Sequence, residues 1–144
     1  MTLRSPEEET EATKPTRQSA SVGIVIVSGS LKIAEGTAEL IHQTVDNSLP
    51  IACAGGTTAS GYRVEAGAIT EAIRQVWSNS GVAVLVDLGS TETECEAAIR
   101  TMPLSWRRHI ALCNAPLIEG AFMAALAAAR GGDLETVRRV AEDL

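Results

Sequence analysis

The stretch Val22-Gly23-Ile24-Val25-Ile26-Val27 is short, continuous and rich in β-branched side chains, with no polar residue at alternate positions. A strand that is apolar on both faces must be covered on both, which is the condition of a strand inside a parallel sheet. Parallel neighbours need long crossover connections, usually helices. The chain supplies them. Leu31, Ala34, Ala38, Ile41 and Val45 recur at spacings of three and four and so line one helix face, with Pro50 beyond its end. Ile51–Ala54 predicts a second strand and Gly55–Gly61 a loop of small residues. Ile69, Ala72, Ile73 and Val76 predict a second helix, ended by Asn79-Ser80-Gly81. Val82–Val86 predicts a third strand, and Thr91 with Glu94 has the spacing of a capping box for a helix that ends near Pro103. His109–Cys113 predicts a fourth strand and Leu117–Arg130 a helix stopped by Gly131-Gly132. Asp133 predicts the cap of a last helix through Val137, Val140 and Leu144.

The order β-α-β-α-β-α-β-α-α predicts an α/β fold, doubly wound, with a mostly parallel central sheet of about four strands and helices on both faces. Length agrees with one domain, since 144 residues fall within the usual size of a single core. Residues 1–20, with Glu7, Glu8, Glu9 and Glu11 and no periodicity, are expected to be a disordered acidic extension, leaving 21–144 as the folded domain. That extension has no apolar segment of a secretory signal. The apolar runs fall short of the roughly 20 residues that cross a bilayer. A cytoplasmic location and no membrane span are therefore expected.

Charge narrows the partners. Lys and Arg total 12 against 18 Asp and Glu, a formal charge of −6, which argues against nucleic-acid binding because that affinity comes from clustered cations. The four aromatic residues, Tyr62, Trp77, Trp106 and Phe122, are too few for base-stacking platforms. Cys53, Cys95 and Cys113 show neither CxxC spacing nor a nearby pair of histidines, so they read as buried reduced thiols, with no metal.

In a doubly wound sheet ligands bind beyond the carboxyl ends of the strands. Four loops are expected there: Ser28-Gly29-Ser30, Gly55-Gly56-Thr57-Thr58, Asp87-Leu88-Gly89-Ser90-Thr91 and Asn114-Ala115-Pro116. Gly, Ser and Thr at helix starts can direct backbone N–H groups and hydroxyls at an anion, phosphate above all, although small residues there are also ordinary tight-turn chemistry. Gly56 and Gly61 have the spacing of a P-loop, but Tyr62 and Arg63 stand where its Lys and Ser or Thr belong, which excludes a P-loop nucleotidase. No GxGxxG follows Val27, which removes the common dinucleotide fingerprint. Asp87 is placed either to orient a donor or accept a proton, or simply to cap a turn. Glu119 suits the dipole of its own helix. His42 is expected mid-helix and His109 at the amino edge, both away from the site loops.

The blocks GIVIVSGSLKIAEGTAELI, AVLVDLGSTETECEAAI and HIALCNAPLIEGAFMAALAAARGGDLETV resemble, in order and spacing, the mannose-type enzyme IIA family. Within it they look most like the phosphotransferase subunits of phosphoenolpyruvate-dependent (PEP-dependent) dihydroxyacetone kinase, to which LCNAPLIEG points. The resemblance implies a homodimer without a cofactor that takes part in a phosphoryl relay. A histidine at the end of the first strand takes phosphate from the histidine-containing phosphocarrier protein and passes it to a nucleotide on the ADP-binding kinase subunit. The motif places that histidine between the serines of VSxS, where this chain has Gly29. By the same resemblance Asp87 is the acidic partner of the acceptor, and Ser28, Ser30, Gly89 and Ser90 belong to the phosphate-binding shell. Gly61-Tyr62-Arg63-Val64-Glu65 departs from the Gly-Thr-Ser usual after the family's second strand.

Without an imidazole at position 29 no nitrogen is available there for a phosphoramidate. Three accounts of Gly29 stay open: an engineered or accidental change in an otherwise active subunit, a natural homologue that binds relay partners without transfer, or Ser28 or Ser30 as acceptor. The serine route is the least suited, because a serine phosphoester is too low in energy to pass phosphate to ADP. The leading expectation is a relay subunit inactive as written. A regulatory or scaffold module that binds phosphorylated partners is the alternative, and a flavodoxin-like nucleotide binder is a further reading.

Overall fold

The computed structural model describes residues 20–87 and 90–144, with Ser90 described in its backbone only. The expected extension falls almost wholly outside these residues. The chain forms β1 (Gly23–Ser28), α1 (Leu31–Thr44), β2 (Ile51–Gly55), α2 (Ala66–Val76), β3 (Val82–Val86), α3 (Ser90–Arg100), α4 (Leu104–Arg107), β4 (Ile110–Cys113), α5 (Leu117–Ala129) and α6 (Leu134–Glu142). A 3-10 turn, Thr58–Ser60, follows β2.

All strand pairings are parallel and the sheet order is β2-β1-β3-β4. Every residue of β1 and β3 is buried, as their unbroken apolar sequences require, whereas β2 and β4 form the half-buried edges. Alternation divides β1 between two cores. Ile24 and Ile26 pack with α1, α5 and α6, through Ala34, Ile41, Ala121, Ala124 and Val137. Val25 and Val27 pack on the opposite face with α2 and α3, through Ile69, Ile73, Cys95 and Ala98. Helices therefore cover both faces, as expected for a doubly wound domain.

Two local expectations are corrected. Because α3 is already helical at Ser90, Thr91 lies inside its first turn and is buried, so Thr91 and Glu94 do not form the entry box. Beyond Arg100 the chain does not run straight to β4: Pro103 starts the short helix α4, whose Arg107 Nε donates to the Met102 carbonyl at 2.9 Å. A proline's preset φ suits a helix start, and apolar periodicity is too short to register one turn. Asp133 caps α6 as expected, accepting the Thr136 N–H at 2.9 Å. Among the described residues no helix is long and apolar enough to cross a membrane.

The three thiols are free, Cys95 and Cys113 buried and Cys53 partly so. Burial pushes Cys53 up from 9.0 to about 11, and Cys95 and Cys113 to about 12, with neighbouring carboxylates adding to each. An acid whose folded pKa is raised keeps its proton when the unfolded chain releases it, so stability is intact below about pH 9 and falls as pH rises towards 12. The urea midpoint is expected to be flat through neutral pH and to drop between pH 9 and 11, a drop diminished by Cys95→Ala relative to its own neutral value. A midpoint unchanged across that interval would contradict the burial of these thiols.

Candidate functional site

Sheet order decides where a site can form. From β1 the chain moves outward through α1 to β2, and from β3 outward in the other direction through α3 to β4. These two crossovers lie on opposite faces, so the carboxyl ends of β1 and β3 diverge and leave a crevice between them. The register pairs Val27 with Val86, which brings the next residues, Ser28 and Asp87, side by side.

Ser28 is fully buried, and its hydroxyl donates to Asp87 Oδ2 at 2.8 Å. The same oxygen accepts the Gly29 N–H at 3.2 Å, while Ser28 Oγ accepts the Ser30 N–H at 3.0 Å. Asp87 N in turn donates to the Val27 carbonyl at 3.2 Å. The result is a carboxylate fixed at the tip of β3 by the turn that follows β1. A buried hydroxyl between a carboxylate and an amide leaves both of its roles satisfied, so this turn has one low-energy arrangement.

The β2 end closes the other side. Leu31 N donates to the Gly56 carbonyl at 2.8 Å, and Gly56 N to the Ser28 carbonyl at 3.2 Å. Tyr62, with φ 63°, donates its N–H to the Thr57 carbonyl at 2.7 Å and folds the loop back over Gly56. A Cβ at position 56 would stand 2.3 Å from the Tyr62 carbonyl carbon, and one at position 55 would stand 2.5 Å from Leu31 Cα. Position 29 is different: a Cβ there meets one neighbour within 4 Å, the Tyr62 carbonyl oxygen at 3.5 Å.

Ser28, Gly29, Ser30 and Asp87 are thus brought together, whereas Gly89 lies outside the described residues, as does the side chain of Ser90. The amides of the turn are not free donors, which agrees with the tight-turn alternative of the sequence reading and not with the anion cradle: Gly29, Ser30 and Leu31 all spend their N–H groups inside the chain. What this edge offers instead is an oriented carboxylate, the half-buried Ser30 and an open place at Gly29. His42 and His109 are elsewhere, as expected. His42 Nε2 donates to the Leu49 carbonyl at 3.0 Å, and the His109 carbonyl accepts from Val82 N at 2.8 Å at the amino edge of the sheet. An open groove of about 800 Å³ lies at that same amino edge, lined by Ser21, Ser80, His109, Gly132 and Arg138, and is separate from the crevice.

The sequence did not mark Tyr62 as a site residue. Its signals were an aromatic side chain after Gly61 in a loop of small residues and its place in the stretch that departs from the family's Gly-Thr-Ser, and nothing local announces that its carbonyl will face position 29.

A family model described as PTS system fructose IIA component matches residues 23–138. The phosphoryl donor subunit DhaM of PEP-dependent dihydroxyacetone kinase from Escherichia coli (strain K12) is 34% identical over 119 residues, which cover 81% of this chain and 25% of that protein. The chain therefore spans about a quarter of the length of that relative. The phosphoryl donor subunit DhaM of PEP-dependent dihydroxyacetone kinase 2 from Listeria innocua is 31% identical over 105 residues, covering 73% of this chain and 84% of its own. A crystallised protein of unknown function is 28% identical with a TM-score of 0.73, over 85% of this chain and 94% of its own.

Proposed function

Since the chain belongs to the PTS system fructose IIA component family, we propose that it is a phosphoryl-relay subunit of the PEP-dependent dihydroxyacetone kinase type whose acceptor position is Gly29, and that it forms no phosphohistidine itself. The observation that carries this reading is the intact support around an absent acceptor. Ser28 and Gly29 N hold Asp87 at the tip of β3, and the place a side chain at position 29 would take stays open. In a working relay the acceptor imidazole would sit beside that carboxylate, which would orient the ring through its second nitrogen. Ser28, Ser30, Gly89 and Ser90 are the proposed phosphate shell, and Asp87 the acidic partner.

The same reading brings the partners and the setting. The histidine-containing phosphocarrier protein stands on the donor side, the ADP-binding dihydroxyacetone kinase subunit on the acceptor side, and the protein works in the cytoplasm in glycerol and dihydroxyacetone metabolism. Homodimerisation belongs to it as well, and the exposed Ile33 and Leu40 on α1, with Ile118 on α5, offer apolar surface for a second copy. Loss of the acceptor favours a second reading, in which the chain is a non-catalytic regulatory module that engages relay partners without turnover.

Incubated with PEP, the first relay enzyme and the phosphocarrier protein, the native chain is expected to keep its intact mass while still associating with the carrier. Acid-labile phosphate on the native chain would overturn the assignment of Gly29 as a vacated acceptor position. Absence of any association would remove the relay reading altogether.

A further inference from the structure

Charge is segregated along the sheet axis. Helices α2 and α3 run back from the carboxyl edge towards the start of the next parallel strand, so their last turns, with Arg74 and Arg100, lie at the amino edge. The short helix α4 and the residues after it add Arg107, Arg108 and His109, all exposed, immediately before β4. Segments 72–86 and 97–113 contain these cations and no Asp or Glu, in a chain whose net charge is −6. Helix dipoles favour Arg74 and Arg100 where they stand, but they do not explain the apolar surface on the same edge. Leu104 is 70% exposed, and the half-buried Trp77 and Trp106 stack with centroids 4.1 Å apart, which joins the end of α2 to α4. Arg108 and His109 also line the groove at this edge. The carboxylates in the groove wall are already engaged: Glu135 pairs with Arg138 at 2.7 Å, and Asp133 accepts the Thr136 N–H at 2.9 Å.

The chain itself supplies the complement. Ala20 and Ser21 form part of the groove wall, and the Ala20 carbonyl accepts the Ser80 hydroxyl at 2.6 Å, so residues 1–19 join the fold at this edge. Four of the five residues Glu7–Glu11 are acidic, and Glu11 stands nine residues before Ala20, a reach of at most about 30 Å. A tether of that length gives an effective concentration on the order of millimolar, which populates contacts too weak to hold a separate peptide. We propose that the amino edge is a docking surface for the chain's own acidic segment Glu7–Glu11, with Arg74, Arg100, Arg107 and Arg108 supplying the opposite charge. This surface lies at the other end of the sheet from Ser28 and Asp87, so the inference is independent of the relay reading.

A nitroxide attached through Ala12→Cys tests this by paramagnetic broadening of amide resonances, in the full chain with the partly exposed thiol removed by Cys53→Ala. The amides of Leu104–His109 are expected to be broadened at low salt. That broadening should fall at least about twofold, at an unchanged melting temperature, when Glu7, Glu8, Glu9 and Glu11 are all replaced by Gln, and likewise in salt of about 1 M, which screens exposed charges. The pair Arg74→Gln and Arg108→Gln, which spares the Arg107 bond to Met102, should have the same effect. Equal broadening before and after the four glutamate substitutions overturns the inference. Broadening of an isotope-labelled chain by a nitroxide carried on a separate chain would move the contact to a second copy and overturn it as well. Cosedimentation of the native chain with phosphatidylglycerol vesicles as strong as that of the glutamine variant would show this edge open to an anionic lipid surface, with the same consequence.

Discussion

Replacing Gly29 with histidine is expected to give a chain that takes a single acid-labile phosphoryl group from the phosphorylated carrier, where the native chain is expected to take none. The position tolerates the change: its backbone is not left-handed, and a Cβ meets the Tyr62 carbonyl oxygen at an ordinary 3.5 Å. Asp87 needs no rearrangement, because Ser28 Oγ and Gly29 N already hold it. The gain in transfer rate should be at least on the order of 10³-fold, the scale on which removing a nucleophile acts in other enzymes. Stability should change by no more than about 1 kcal/mol, since a side chain at a compatible glycine position mainly restricts the unfolded chain. Intact mass before and after acid treatment reads the outcome. A folded Gly29→His chain that stays unlabelled would mean that the Gly61–Glu65 departure has closed the site to transfer, and the non-catalytic module would then be the better account.

Gly56→Ala should be among the most damaging single changes near this site. Its Cβ would stand 2.3 Å from the Tyr62 carbonyl carbon, 2.5 Å from Tyr62 Cα and 2.5 Å from the Gly29 carbonyl oxygen. All three are backbone atoms, so no side-chain rotation relieves the overlap, and the loop must leave Gly56. We expect a loss of about 3 kcal/mol, at the upper end for overpacking, from urea denaturation, together with weaker support of α1 through the Gly56 carbonyl. Gly29→Ala, on the facing loop, is the control and should lie within about 1 kcal/mol of the native chain. Equal stability of the two variants would refute the packing of Tyr62 on Gly56.

Much of this was legible in the chain itself. Val22–Val27 and Val82–Val86 lack polar alternation, and the structure buries both strands on both faces. Ile69, Ala72, Ile73 and Val76 have helical spacing and form the buried stripe of α2. The serines around Gly29 and the aspartate after the third strand were likewise readable as site candidates. The misread start of α3 and the overlooked α4 were failures of scale, because capping patterns and apolar periods carry little information over a single turn.

Local pattern determined which segments are strands and helices, and which loops end at the carboxyl edge, because burial period is a property of consecutive residues. It also determined that position 29 has no imidazole. Tertiary structure alone decided the strand order β2-β1-β3-β4, and that order sets Ser28 against Asp87 across 59 residues of sequence. It decided too that the amides of the first turn are engaged, that position 29 is open while position 56 is closed, and that Tyr62 is pinned by its backbone while the residue stays exposed. Each of these depends on the distance between segments far apart in the chain. That distance is set by how the crossovers stack on the sheet, which no period of two or 3.6 residues encodes.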